Sequence, residues 1–391
     1  MKGETRVNHP PSVEVPADNH PVVAPIHQTV KFEFETIEDT LKALRGERPG
    51  FFYARSSNPT TRALELTLAE LQGRDDCLVC ASGVGVVAQT LLSLTRADDH
   101  VLCFVESYGP TRQLIRRILG KYGVAHTLLS IDDLPGIEAL LAARPTRLVV
   151  FESPTNPINR IADIAAITRL ARSHGALTLL DNTFAGVHQH GRYDVDLYLH
   201  SLTKYVAGHG DVMGGAVIGE ARLIRMLRPD FTVLGGILDP HAAFLIQRGL
   251  KSYFLRYRAH SAAALRIAQY LVTHSTVERV RYPGLSGDPQ HALACSQMSD
   301  FGAIVTFDLR GGAEAGRRFA EALQLFAITP SLGATESLVM PPQLLGSRDL
   351  SEEQQRLSGI GPGTVRLSVG LEDVGDLLAD LEQGLARAQS A

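Results

Sequence analysis

The chain has little of what would assign it to a class at once. Four cysteines in 391 residues are too few for a disulfide framework. Hydrophobic residues make up 45% of the chain, yet no stretch approaches the ~20 apolar residues of a membrane span. A formal charge of −4 gives no electrostatic case for nucleic acid or an anionic membrane as partner. The opening segment, MKGETRVNHPPSVEVPADNHP, lacks the apolar core of a secretory signal, so a cytoplasmic location is expected. Internal repeats and low-complexity tracts are missing, as is a dinucleotide-binding fingerprint. Cys77 and Cys80 form a C-x-x-C, but Cys103 and Cys295 stand alone. A second pair or a thioredoxin-like context would be needed for zinc or redox chemistry, so core cysteines are expected. His188, His190, His200 and His209 match no ligand spacing, and no metal is expected.

What is present is enough apolar sequence for two domains on a large core. Residues 1–55 are rich in proline and weakly patterned, with one short helix expected over Ile37–Arg45. Such an arm is not stable alone and is expected to lie on a partner subunit. From residue 56 to 245, helix and strand alternate. Strands are expected at Asp76–Ala81, His100–Val105, Ala125–Ile131, Arg147–Phe151, Ala176–Leu180 and Val195–His200, with a further short apolar run at Gly214–Gly219. Helices are expected between them, including Val84–Leu94 and Thr111–Lys121. Continuous apolar strands with helical crossovers imply an α/β fold whose sheet is mostly parallel and covered on both faces. Residues 246–391 imply a smaller, antiparallel α+β domain. One helical stretch over Ile237–Tyr270, interrupted chiefly at Gly249, leads into it. A strand open on one face is expected at Gly302–Leu309, and a last strand at Thr364–Val369.

Ligands of such sheets sit beyond the carboxyl ends of the strands, and residues with usable chemistry collect there. His200-Ser201-Leu202-Thr203-Lys204-Tyr205 ends one strand in two hydroxyls and a lysine. A lysine there suits an imine to pyridoxal phosphate, with the hydroxyls taking the phosphate; taken alone, the segment equally describes a surface lysine. Ala81-Ser82-Gly83-Val84-Gly85 puts backbone N–H groups at a helix start, where a phosphate binds well. Asp181 ends another strand; it suits a protonated ring nitrogen, or else a helix cap or internal salt bridge. Tyr108 could stack on a flat cofactor or simply pack in the core. Asn156, in Glu152-Ser-Pro-Thr-Asn156-Pro157, presents from a rigid turn an amide that could bond the cofactor's phenolic oxygen, or it is plain turn chemistry. Tyr53 and Arg55 suit a phosphate. Arg366, inside an apolar strand, suits a substrate α-carboxylate.

Read together, these segments resemble the Cys/Met-metabolism enzymes that depend on pyridoxal phosphate: the cystathionine γ-synthases, cystathionine β- and γ-lyases, methionine γ-lyases and O-acetylhomoserine sulfhydrylases. The resemblance rests on Tyr53-x-Arg55-x-x-Asn58-Pro-Thr60, Ala81-Ser82-Gly83, Tyr108-Gly109, Glu152-Ser-Pro-Thr-Asn156-Pro, Asp181-Asn-Thr183-Phe184, His200-Ser-x-Thr-Lys204-Tyr and Arg366-Leu-Ser-Val-Gly-Leu-Glu, in that order. It implies fold type I, the aspartate aminotransferase-like fold. By the resemblance, Lys204 would hold pyridoxal phosphate, Asp181 its ring nitrogen, and Tyr108 would stack on the ring and assist as acid or base. Ser82, Gly83, Val84, Thr183, Ser201 and Thr203 would form the rest of the cofactor site, with Tyr53 and Arg55 arriving from a neighbouring subunit. Asn156, Ser331 and Arg366 would position a small amino-acid substrate. A homotetramer built as a dimer of dimers is implied, as is a lyase acting by β- or γ-elimination on a sulfur amino acid, or alternatively a γ-replacing transferase.

The departures concern the substrate. Phe52, Pro330 and Met340 stand where cystathionine γ-lyases carry acidic residues. If each lost contact cost ~1–2 kcal/mol, cystathionine would be disfavoured by orders of magnitude. Pro110 replaces the cysteine favoured by methionine γ-lyases, and Gly346-Ser347 replaces a common Thr-His pair. These positions leave the choice of amino acid open.

Overall fold

A computed structural model describes residues 2–8, 16, 18–346 and 349–389. Seven strands form the larger sheet: β1 (Asp76–Cys80), β2 (His100–Phe104), β3 (Ala125–Leu129), β4 (Leu148–Glu152), β5 (Leu177–Asp181), β6 (Leu197–Ser201) and β7 (Gly215–Gly219). Their order is β1-β7-β6-β5-β4-β2-β3, parallel except where β7 runs antiparallel to both neighbours. The inner parallel strands β2, β4, β5 and β6 are mostly apolar and buried because both faces are covered, while the edge strand β3 is partly buried throughout. Leu102 and Phe104 of β2 point into one core cluster, Val101 and Cys103 into the other. The same alternation separates Cys77 from Cys80, which are buried in different clusters on opposite faces. Three residues apart on a strand, they cannot share a ligand.

The smaller sheet contains β8 (Val277–Arg281), β9 (Ile304–Leu309), β10 (Ala327–Ile328), β11 (Leu338–Met340) and β12 (Thr364–Ser368), in the order β10-β11-β12-β9-β8. It is mixed rather than wholly antiparallel, since β10 and β11 run parallel. The helices Gly312–Ala322 and Val374–Gln389 cover its outer face, giving a core with Phe307, Phe319 and Leu381.

Three expectations are corrected. The segment ending at Leu309 is not open on one face: all six residues of β9 are buried. Val305, Phe307 and Leu309 face the small-domain core, while Ile304 joins the large-domain core. Thr306 on that second face donates to the Pro157 carbonyl at 2.5 Å. The face that periodicity left to solvent is the one that docks the two sheets together. Next, Gly249 does not interrupt a helix. It lies within the helix Pro240–Leu250, and the break before Tyr253–Thr273 falls at Lys251 and Ser252. A Cβ at Gly249 would stand 2.2 Å from the Ala207 carbonyl oxygen, so the glycine permits close packing. Finally, Thr111–Lys121 is not one regular helix. An α-helical turn at Gly109–Gln113 passes into a π turn at Leu114–Ile118 and a 3-10 turn at Leu119–Tyr122.

Within the arm, Ile37–Leu44 is helical with Thr36 as its cap, and Lys31 pairs with Tyr53 in an isolated bridge. The His27 amide donates to Thr60 Oγ1 and Asn58 Nδ2 to the His27 carbonyl, tying the arm to the start of the helix Pro59–Gln72. Val22, Val23, Val30, Ile37, Leu44 and Phe52 remain exposed.

Candidate active site

The carboxyl ends of β2, β4, β5 and β6 open onto a cavity of about 550 Å³ whose far wall comes from the smaller sheet and its loops. Ser82 begins the wall on the larger sheet. Its Oγ accepts from the Gly85 amide at 3.0 Å and caps the helix Gly83–Leu94. The first N–H groups of a helix have no partner within it, and Gly83 and Val84, at the start of this helix, line the cavity. Gly83 has no alternative here: a Cβ would lie 2.8 Å from the Ser201 Cβ and 2.9 Å from its Oγ. Thr183 Oγ1 accepts from the Ser201 amide at 2.9 Å, and Thr203 Oγ1 accepts from the Gly214 amide at 3.1 Å. These bonds fix the loop that carries two hydroxyls towards the helix start.

Lys204 follows directly. Its Nζ donates to Ser331 Oγ at 2.7 Å. Burial, and then the Arg366 charge, pull its ammonium down to about 8. Arg366 projects from β12 and is 4% exposed. Its Nη1 donates to Asn156 Oδ1 and its Nη2 to the Ser331 carbonyl, both at 2.8 Å. Its Nε has no partner, and no carboxylate pairs with it among the described residues. Burial lowers this guanidinium to about 10, with Tyr205 and Tyr108 opposing. Ser331 holds φ at 108°, a left-handed value that orients its carbonyl to Arg366 and its hydroxyl to Lys204.

Asp181 and Glu152 are register partners at the ends of β5 and β4. Burial raises the Asp181 carboxyl, although Thr183 opposes the shift through a 3.0 Å bond from its amide. Burial and then Asp181 push Glu152 well above the usual carboxylate range. An ion taken out of water costs several kcal/mol, and of this adjacent pair Glu152 is the one displaced further towards its protonated form, although the Asn156 amide donates to it at 2.8 Å. Tyr108 stands at the mouth, 40% exposed, its hydroxyl raised by burial and then by Asp181.

Of the residues singled out from sequence, the cavity gathers Ser82, Gly83, Val84, Tyr108, Asn156, Asp181, Thr183, Ser201, Thr203, Lys204, Ser331 and Arg366. Pro110, Pro330, Met340 and Gly346 also line it, while Ser347 lies outside the described residues. Phe52, Tyr53 and Arg55 do not line it: Arg55 Nη1 donates to the Thr232 carbonyl at 3.1 Å and its guanidinium lies 5.7 Å from the Tyr53 ring centroid. The histidines bind neighbours: His188 to Tyr253, His190 to Asn182, His200 to Gln72 and His209 to the Ala207 carbonyl. No cluster able to hold a metal occurs among the described residues. Among the cavity residues that sequence reasoning missed is an ion pair, Arg112 with Asp349. The available signal was that Arg112 follows Tyr108 by four residues, one helical turn.

A family model for the Cys/Met metabolism PLP-dependent enzymes matches residues 7–386. The chain belongs to that family. It is therefore a pyridoxal phosphate-dependent enzyme acting on a small amino-acid substrate, of the kind that cleaves carbon–sulfur bonds or replaces a γ substituent. L-methionine gamma-lyase of Pseudomonas putida is 42% identical over 370 residues, covering 93% of this chain and 92% of that protein. O-succinylhomoserine sulfhydrylase of Pseudomonas aeruginosa is 37% identical over 361 residues, covering 92% and 89%. The crystal structure of cystathionine gamma synthase from Xanthomonas oryzae pv. oryzae in complex with cystathionine superposes with a TM-score of 0.88 at 36% identity, covering 94% of each chain. The shared architecture is PLP fold type I. Among the described residues no helix is long and apolar enough to cross a membrane.

Proposed function

We propose that this enzyme eliminates a thiol from the β or γ carbon of a sulfur amino acid. The observation that carries the reading is one cavity holding three incomplete partners: a desolvated amine at Lys204, a buried acid without a cation at Asp181, and a buried arginine without a carboxylate at Arg366. A cofactor aldehyde, a protonated ring nitrogen and a substrate α-carboxylate complete them respectively. The Gly83–Ser201 approach, too close for a Cβ, together with the Gly83 and Val84 N–H groups and the hydroxyls of Ser201 and Thr203, fits a phosphate.

Pyridoxal phosphate, when bound, supplies an electron sink at the substrate's α carbon. The chain's residues do the rest. The fork of Arg366, backed by Asn156 and Ser331, fixes the α-carboxylate. Asn156, whose Oδ1 accepts from Arg366, would hold the cofactor's phenolic oxygen through its amide nitrogen. Lys204, with an amine that is neutral for much of the population near pH 8, takes the α-proton and, for γ chemistry, a β-proton. Tyr108, protonated at neutral pH, serves the leaving group as acid. Burial and the neighbouring Asp181 favour the protonated form of Glu152, which spares Asp181 a like charge at its side.

The thiol-releasing reading is supported by the apolar Pro110, Pro330 and Met340 in the cavity wall, which suit a hydrophobic thioether better than a second charged terminus. The relatives include γ-replacing enzymes, so transfer of a thiol to an O-acylated homoserine is the second reading. Assay of 2-oxo acid with and without added thiol separates them. Oxo acid and ammonia without an acceptor are the expected products; turnover only with an acceptor overturns the lyase reading. The same proposal keeps residues 1–55 as an arm, 56–245 as the cofactor-binding domain and 246–391 as the smaller domain. It places Tyr53 and Arg55 against the phosphate of a neighbouring subunit in a cytoplasmic homotetramer. The exposed apolar arm residues and the distance of both side chains from their own cavity support that placement.

A further inference from the structure

Three cationic side chains line the cavity among the described residues: Lys204, Arg366 and Arg112. The first two are linked through Ser331 and belong to the reacting end. Arg112 is the one left over, and it is not available. Its Nε and Nη2 donate to Asp349 Oδ2 and Oδ1, each at 3.0 Å, in a two-pronged pair. Its Nη1 donates to the carbonyls of Val105, at 3.0 Å, and Ser107. The Arg112 side chain is 4% exposed and that of Asp349 11%. Burial raises the Asp349 carboxyl, but the hydrogen bonds and charge of Arg112 outweigh it and hold the group below the usual range. The carboxylate is thus ionised and fills the fork that an incoming carboxylate would need. Arg116 Nη1 donates to the Asp349 carbonyl at 2.6 Å and anchors that residue from a second side.

A two-pronged arginine pair is the strongest carboxylate site a cavity wall offers, and here the protein supplies its own anion. We propose that Asp349 is a specificity determinant: by occupying Arg112, it excludes amino acids that carry a carboxylate at the far end of the side chain and favours those ending in a neutral alkyl group. This rests on the reading of the cavity as an amino-acid site. A substrate with a distal carboxylate must either displace Asp349 or leave its own charge desolvated opposite a like charge, and both cost free energy.

The test uses holoenzyme and two six-carbon amino acids without a leaving group, L-norleucine and L-2-aminoadipate, which differ at the chain end as methyl against carboxylate. Calorimetry gives the ratio of their dissociation constants for the wild type, Asp349→Asn and Asp349→Ser. The second variant covers the case in which the first does not fold. The wild type is expected to prefer norleucine at least tenfold, and each variant to shift the ratio towards aminoadipate by tenfold or more. The double variant Arg112→Met, Asp349→Leu is expected to keep the preference for norleucine, because neither charge remains. An unchanged ratio in the Asp349 variants, or a wild type that binds both equally, overturns the inference alone. A wild type that binds neither amino acid overturns it together with the amino-acid-site reading.

Discussion

Lys204 Nζ, just past the end of β6, donates to Ser331 Oγ, in the loop between β10 and β11, across 2.7 Å and 127 residues of sequence. The same Ser331 gives its carbonyl to Arg366 of β12, which in turn reaches Asn156 in the turn after β4. Lys204 and Arg366, proposed as the reacting lysine and the carboxylate-binding arginine, are therefore held by one chain of hydrogen bonds that passes twice between the loops of the larger sheet and the segments of the smaller one. Each is buried in a setting that weakens its proton, so the site stores its electrostatic preference in the fold.

Lys204 is expected to titrate far below an ordinary lysine. In cofactor-free protein, the rate of capture of pyridoxal phosphate should rise with pH through a midpoint of about 8, where an unperturbed lysine would show 10.5. Between those values the unfolded chain holds a proton that the folded chain lacks, so stability of the cofactor-free protein should increase with pH across the window. Arg366→Leu removes a neighbouring positive charge and should move the capture midpoint upward. A midpoint near 10.5 in the wild type contradicts the burial argument.

Arg366→Lys keeps the charge but loses the planar fork. A drop in kcat/KM on the order of 10²-fold is expected, from ~2–3 kcal/mol of lost carboxylate binding. Cofactor absorbance should be retained. Steady-state kinetics on the best substrate, with the spectrum of the same sample, checks this; full activity would remove Arg366 from carboxylate binding.

Gly83→Ala places a methyl group 2.8 Å from the Ser201 Cβ. The helix start or the Ser201 loop must move, and affinity for pyridoxal phosphate should fall tenfold or more while the melting temperature of the cofactor-free protein changes little. Adding Ser201→Gly clears the clash and should recover part of the loss. No recovery would point to a role for Gly83 other than close approach.

The sequence carried the larger sheet and most of the site, and physical reasons explain both that and the gaps. Parallel strands buried on two faces leave unbroken apolar runs, and a site at their carboxyl ends leaves polar residues at fixed places, as with Asp181 after Leu177–Leu180 and Ser201 after Leu197–His200. Short or charged strands of the smaller sheet leave no such trace. Val277–Arg281 is half exposed and charged, and Leu338–Met340 spans three residues. Tertiary contacts overrode local pattern at Gly249, kept small by Ala207, and along β9, whose apparently open face packs on the larger domain. The Arg112–Asp349 pair joins residues 237 apart, and periodicity carries no information at that separation.

Lys204 is one of six lysines in the chain, which makes the central claim directly measurable. Purified enzyme is reduced with borohydride, digested and mapped by mass spectrometry, following loss of absorbance at about 420 nm during reduction. The account predicts a pyridoxyl phosphate group on the peptide containing Lys204 and on no other. A label on Lys2, Lys31, Lys42, Lys121 or Lys251 instead, or no label on any peptide, contradicts it.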